Sequence, residues 1–321
     1  MALPVTVYRW DDVGAPQIVD RKPTEILAVL KACLVDGYGD KQGLGWTMPY
    51  GDVASNKVVF RNSPVDGSGG YVQFWGTSDT AGGQVNYKHA KTMTGLDTWI
   101  PDIAPYNSLA APRATSKQWV VIGTTRGFYF IVTQSDRSNM SLGVSDSWTG
   151  FYGDFDSLIP SDQNTFVAYY YTQSDHSGSS WSFTMEIASN GTDLCRILDT
   201  DNSGEHVMYE LGMPFSDLFS TSTLATSKGS SPVPLTLSNV YMRVASATNT
   251  TKDAHGLYIK DSTTRPSIRG VMAGLYQFAQ GGYADQPWPQ VVNQDGREYW
   301  MLRQAHAGAS HMLIDMVSWY E

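Results

Sequence analysis

The segment Asp199-Thr200-Asp201-Asn202-Ser203-Gly204, continued to Glu210, is where oxygen-bearing side chains recur most clearly at metal-ligand spacing. Asp199, Asp201, Ser203 and Glu210 fall on positions one, three, five and twelve of a calcium loop, with Gly204 at the sharp-turn position, and a hard divalent cation wants oxygen ligands at those offsets. Such a loop is held between two helices. Here the flanks 194–198 and 207–209 are short apolar runs with strand character, and His206 stands at position eight. The residues therefore read as the turn of a β-hairpin, with calcium as the weaker alternative.

Other chemistry is harder to find. No two histidines share the spacing that places a pair of imidazoles on one helical face, and His306 and His311, which straddle Gly308, read as ordinary loop residues. Nucleophile-elbow, phosphate-loop and dinucleotide glycine motifs are absent, and Asp154 and Asp156 have no identifiable general-acid partner. The expectation is a non-enzymatic protein with no catalytic residue and no cofactor.

Aromatic residues make up 12% of the chain and suggest contact surfaces instead. In Tyr169-Tyr170-Tyr171 a strand would send the middle ring to one face and its neighbours to the other, which leaves at least one ring outside a core. The proline-bracketed loop Gly281–Pro289 presents Tyr283 and Trp288 and cannot lie in a central strand. Tyr169, Tyr171, Tyr283 and Trp288 are thus the candidate interface anchors.

The elements that must carry these residues are mostly strands. Among 321 residues only 17% are charged, while 30 Gly, 18 Tyr and 10 Trp suit a turn-rich β protein large enough to bury its own core. The formal charge of -9, with no basic block, disfavours nucleic acid as a partner. No stretch reaches the ~18 apolar residues of a transmembrane helix, and the opening residues lack a signal peptide's basic and apolar regions; the expected site of synthesis and folding is a cytoplasm. Cys33 and Cys195 sit in apolar runs and read as buried thiols.

One segment has a helical period. From residue 23 to 36, Ile26, Leu27, Leu30, Cys33 and Leu34 share a stripe that starts at a proline and stops before Gly37. Elsewhere short apolar runs at 57–61, 71–75, 119–123, 128–133, 165–172, 181–187, 194–198, 237–244, 297–303 and 312–319 read as strands. The predicted class is mainly β, with β-sandwich or jelly-roll-like sheets and one short N-terminal amphipathic helix packed on the first sheet. A border is drawn near residue 155, giving a helix-plus-sandwich domain over 1–155 and a second β-rich domain over 156–321, or one continuous domain. The polar stretches 135–149 and 216–234 read as exposed loops, the second as a candidate interface.

The run Ile26-Leu27-Ala28-Val29-Leu30-Lys31-Ala32-Cys33-Leu34-Val35-Asp36-Gly37-Tyr38-Gly39, followed by Gly43-Leu44-Gly45-Trp46-Thr47 and Asn56-Lys57-Val58-Val59-Phe60-Arg61, resembles virion structural proteins of tailed bacteriophages. Those proteins open with a short helix ending in a Val-Asp/Asn-Gly-Tyr-Gly-like segment, then Gly-Trp-Thr, then a strand beginning Asn-Lys. Gln118–Gly123 with Phe128–Ile131, and Ile268–Tyr276 with its Arg-Gly-x-x-x-Gly-Leu element, are similar to later parts of the same family. The resemblance implies a place in the virion, contacts with other phage structural proteins and with copies of itself in a symmetric assembly, and no known catalytic residue. By fold-level analogy the position expected is the tail tip or baseplate. The alternatives are capsid decoration or a head fibre, a carbohydrate-binding receptor-recognition module that meets a host surface receptor, and a depolymerase built on paired carboxylates. Independently of the resemblance, Gly37, Gly39, Gly43 and Gly45 allow two tight turns after the helix, from which Trp46 would close the helix onto the sheet.

Overall fold

A computed structural model describes residues 2–102, 106–109, 112–134, 136–140, 147–169, 195–200, 206–215, 227–244, 254–255, 268–303 and 311–321. The chain is mainly β, built of stacked antiparallel sheets, with a single short helix among the described residues. The expected strand at 181–187, Tyr171, and the first part of the 216–234 loop lie outside the described residues.

The continuous apolar runs explain the architecture. Trp119–Gly123 and Gly127–Thr133 are buried at every position and pair with each other, Val121 opposite Phe130. Together with Ser147–Asp154, Phe166–Tyr169 and Thr6–Arg9 they form a five-stranded middle sheet. Side chains alternate between the faces of a strand, so a strand with no polar face must be covered on both. Trp119, Val121, Phe128, Phe130 and Tyr152 join one core, and Val120, Ile122, Tyr129, Ile131 and Phe151 join another.

The first core is closed by the helix and a five-stranded sheet of Thr47–Asp52, Lys57–Arg61, Tyr71–Gly76, Val85–Ala90 and Asn107–Leu109. Its inward residues, including Phe60, Phe74 and Tyr87, meet Tyr152 of the middle sheet, whose ring centroid lies 5.1 Å from both Phe74 and Tyr87. The second core is closed by an eight-stranded sheet made of seven strands from Cys195–Leu198 to His311–Asp315 together with Asp156–Ser157, which pairs with Ile268–Phe278. Tyr129 reaches from the middle sheet into this layer and donates to the Ala273 carbonyl at 2.8 Å.

Strand pairing runs across the border placed near residue 155. Ser147–Asp154 pairs with Phe166–Tyr169 across that point, and Leu3–Pro4 pairs with Ser318–Trp319. Because both faces of the middle sheet are buried, residues on either side of 155 share one stack of layers.

The helix spans Pro23–Lys31 and widens over Ala32–Asp36 into a π-type turn, closed by the Gly37 N–H on the Ala32 carbonyl at 2.8 Å. Glu25 accepts from the Lys22 N–H at 3.0 Å, and Asp79 from a distant loop accepts from the Thr24 N–H at 3.1 Å, so two first-turn donors are satisfied. At the exit Gly37 has φ 78°, and a Cβ there would lie 2.4 Å from the Lys41 carbonyl oxygen. Gly43 is required by proximity instead: its Cβ would lie 2.4 Å from the Val35 carbonyl oxygen. Trp46 then packs edge-on against Phe128 of the middle sheet, centroids 5.2 Å apart, and donates Nε1–H to the Thr124 carbonyl at 3.1 Å. Cys33 and Cys195 are buried free thiols, and burial pushes both well above the usual thiol range.

Candidate functional site

Charged groups gather where the layers meet. The loop after Lys57–Arg61, the turn between the two central strands, the residue following Val85–Ala90, and the loop leaving Ser147–Asp154 together enclose an open cleft of about 490 Å³. Asp66, Ser68, Lys91, Arg126, Asp156 and Gln163 line it. The first loop is shaped by Ser63, whose Oγ accepts from the Val65 and Asp66 N–H groups at 3.2 and 3.1 Å.

Asp154 lies fully buried beneath this cleft. It accepts from the Ser68 N–H at 2.8 Å, the Ser68 hydroxyl at 2.5 Å and the Asn62 amide at 3.1 Å. Arg126 stands 3.6 Å away, an ionic contact too long for a hydrogen bond, and its guanidinium lies 3.8 Å from the centre of the Tyr320 ring. Burial lifts the Asp154 carboxyl above its ordinary range, more than Ser68 and Arg126 lower it. Burial also raises Asp156, against the pull of Arg126.

A second pair stands in the adjoining wall. Arg269 and Asp162 are both fully buried and joined by two bonds of 2.7 and 2.8 Å, while Arg269 also donates to the carbonyls of Leu198 and Asn164 at 2.8 and 3.0 Å. Burial works against the Asp162 anion, but Arg269 outweighs it and holds the carboxyl below its usual range. The guanidinium faces the rings of Phe155 and Tyr209 at 5.4 and 5.3 Å.

The residues singled out from sequence are dispersed. Asp199 is buried and turned onto its own turn, accepting from the Thr200 N–H at 2.7 Å. The flanks Cys195–Leu198 and His206–Gly212 are antiparallel strands, Leu198 opposite His206, which is the geometry of the hairpin reading. Asp201 and Ser203 lie outside the described residues, as does the side chain of Glu210, whose backbone pairs opposite Arg243. Among the described residues no group of three His, Cys, Asp or Glu side chains could hold a metal. Tyr169 ends its strand opposite Phe151; its side chain, like all of Tyr171, is outside what is described.

Tyr283 requires correction as an outward anchor. Tyr283 is only 4% exposed, edge-on to Phe278, with its hydroxyl accepting from the Ser231 N–H at 3.2 Å. Trp288 is half-buried, edge-on to Trp300 at 5.5 Å, and donates its indole N–H to Gln118 at 3.2 Å. The loop is extended, but backbone bonds from Tyr283 and Ala284 to the carbonyls of Gly229 and Ser227 turn its rings into the chain.

A partly exposed aromatic cluster lies elsewhere, on the outer face of the helix-side sheet, where Trp75 and Trp99 are half-buried. Val72 and Phe74 point into the first core, so Trp75 points out. Its ring sits 6.2 Å from Trp99 at 47° and 5.8 Å from Tyr106 at 59°. Tyr106 is 44% exposed, and Leu96 and Ile100 of the same covering segment are 38% and 47% exposed. Strand alternation in 71–75 was the signal that could have found Trp75; Trp99 and Tyr106 carry no comparable pattern. No family model matches the sequence, and no curated protein matches it significantly.

Proposed function

We propose that this chain is a structural subunit of a tailed-phage virion, sited at the tail tip or baseplate, and that it contacts neighbouring subunits through the patch around Trp75, Trp99 and Tyr106. The observation that carries the proposal is that cluster of half-buried Trp75 and Trp99 beside exposed Tyr106, rimmed by exposed Leu96 and Ile100. Interface cores are enriched in aromatic side chains, and contiguous exposed apolar surface is unusual on a free-standing monomer. The rings are tilted by 47° and 59°, which suits interdigitation with protein side chains better than stacking on a flat sugar face.

The residues that carry the family resemblance support a structural role. Tyr38 donates to Asp12 at 2.8 Å, and the same carboxylate accepts from Lys41 at 2.6 Å and from the Arg9 N–H at 2.7 Å. The helix exit is thereby clasped to the N-terminal strand, and these donors hold Asp12 below its usual range although burial works the other way. Such groups are spent on rigidity, which a repeated assembly contact requires.

The test is incorporation. Particles grown with the wild-type chain supplied in trans should contain it after purification, whereas a folded Trp75→Ser/Tyr106→Ser chain should be depleted from them. Equal incorporation of both would overturn the contact surface, and absence of the wild-type chain from particles would overturn the structural role.

A further inference from the structure

The cleft between the layers has a use that subunit contact does not require. We propose that it binds a neutral saccharide, gripped through adjacent hydroxyl groups by Arg126, Lys91 and Gln163 as donors and by Asp66 and Asp156 as acceptors.

Charge complementarity selects this ligand. A simple anion entering the cleft would face Asp66 and Asp156; a simple cation would face Arg126 and Lys91. An apolar ligand would meet little beyond Ile159 and Pro160. A hydroxyl both donates and accepts, so a polyol can use both signs of the lining at once. The volume of about 490 Å³ falls within the range of small-ligand sites and has room for more than one sugar ring.

The donors have capacity left. Lys91 spends one hydrogen bond, on Asn164 at 2.8 Å, and an ammonium carries three donors. Arg126 lies 3.8 Å from the centre of the Tyr320 ring and has a side chain 21% exposed. A guanidinium fixed in place with unspent N–H groups loses little freedom on binding. Asp156 faces the same Arg126, and burial raises its carboxyl against that pull. The walls are rigid, since Ser68 is bound to Asp154 on one side and Asp162 to Arg269 on the other.

The experiment is saturation-transfer NMR of the full chain against a fixed panel: maltotriose, cellotriose, tri-N-acetylchitotriose and, as the charged comparison, trigalacturonate. At least one neutral trisaccharide should show transfer, with affinity falling at least about tenfold in Arg126→Met and in Gln163→Ala, the loss expected for a charged or paired hydrogen bond. Gln163 is exposed, so its replacement leaves the fold intact and keeps the test decisive if the Arg126 variant unfolds. No transfer from any neutral member, binding of trigalacturonate alone, or binding untouched by Gln163→Ala would each overturn the proposal. Loss of particle incorporation by the Trp75 and Tyr106 variant would bear on the subunit contact and leave this result unchanged.

Discussion

Two arginine–aspartate pairs stand at the walls of one cleft and are used in opposite ways. Arg269 and Asp162 are sealed from solvent, joined by two short bonds, and the arginine's further donors are taken by the carbonyls of Leu198 and Asn164. Arg126 lies 3.6 Å from Asp154, partly exposed, and rests on Tyr320 instead. Charges of the first kind hold strands together, because nothing remains for them to offer a ligand. The second kind keeps hydrogen-bonding capacity at a solvent-facing wall. Ionic partnership alone therefore does not distinguish a structural arginine from a binding one; saturation of its donors does.

The largest expected effect is on the sealed pair. Arg269→Met leaves Asp162 buried without its cation and should cost about 3–5 kcal/mol in denaturant unfolding. The double replacement Arg269→Met/Asp162→Leu should recover much of that loss, because no buried charge is left uncompensated. A single variant as stable as wild type would erase the contrast between the two arginines.

Titration gives the same contrast with opposite signs. Asp162 is held below its usual range in the folded chain, so its stabilisation is complete above the ordinary aspartate value of about 3.9 and is lost as pH falls through the lowered value. Asp154 is raised by burial; its folded form keeps a proton that the unfolded chain releases, so stability is lost as pH rises from the ordinary value through the raised one. Carboxyl carbon NMR should place the Asp154 midpoint above the ordinary value and the Asp162 midpoint below it. The reverse order would contradict the assignment of roles.

Arg126→Met comes next, with a loss of about 1 kcal/mol from the missing contact with Tyr320, read by thermal unfolding. A cost as large as that of Arg269→Met would make Arg126 structural and close the cleft proposal. Smallest of all, Tyr106→Ser should change stability by no more than ~0.5 kcal/mol, as for a surface replacement, while reducing entry into particles.

What could be read from sequence followed burial on both faces. Trp119–Gly123 and Gly127–Thr133 are legible because a strand covered on two sides has no polar face, and the helix is legible from its stripe, proline and glycine. Ser147–Asp154 is not, since it begins in a polar stretch and contains Gly150 and Gly153; it is a strand because Gly127–Thr133 and Phe166–Tyr169 pair with it on either side. Glycine-rich Ile268–Phe278, quoted in the sequence for its resemblance, proves to be an 11-residue strand that pairs with Leu237–Val244 on one edge and His311–Asp315 on the other.

The cleft was illegible for a different reason. Its residues come from four separated places in the chain, and Arg269 finds Asp162 across 107 positions. No local spacing encodes such a meeting. Asp154 and Asp156 drew attention as acids without a partner; the partner, Arg126, arrives from a turn in the neighbouring strand pair. Tyr283 misled because a proline-rich loop has the composition of a surface, whereas the backbone bonds that fold this ring inward come from the distant 227–229 segment.

Cryo-electron microscopy of the intact particle, with the chain identified by side-chain density, tests the structural role most directly. Copies are expected at the tail tip or baseplate, with Trp75, Trp99 and Tyr106 buried against another subunit. Particles that lack the chain, or that carry it with this patch facing solvent, would contradict it.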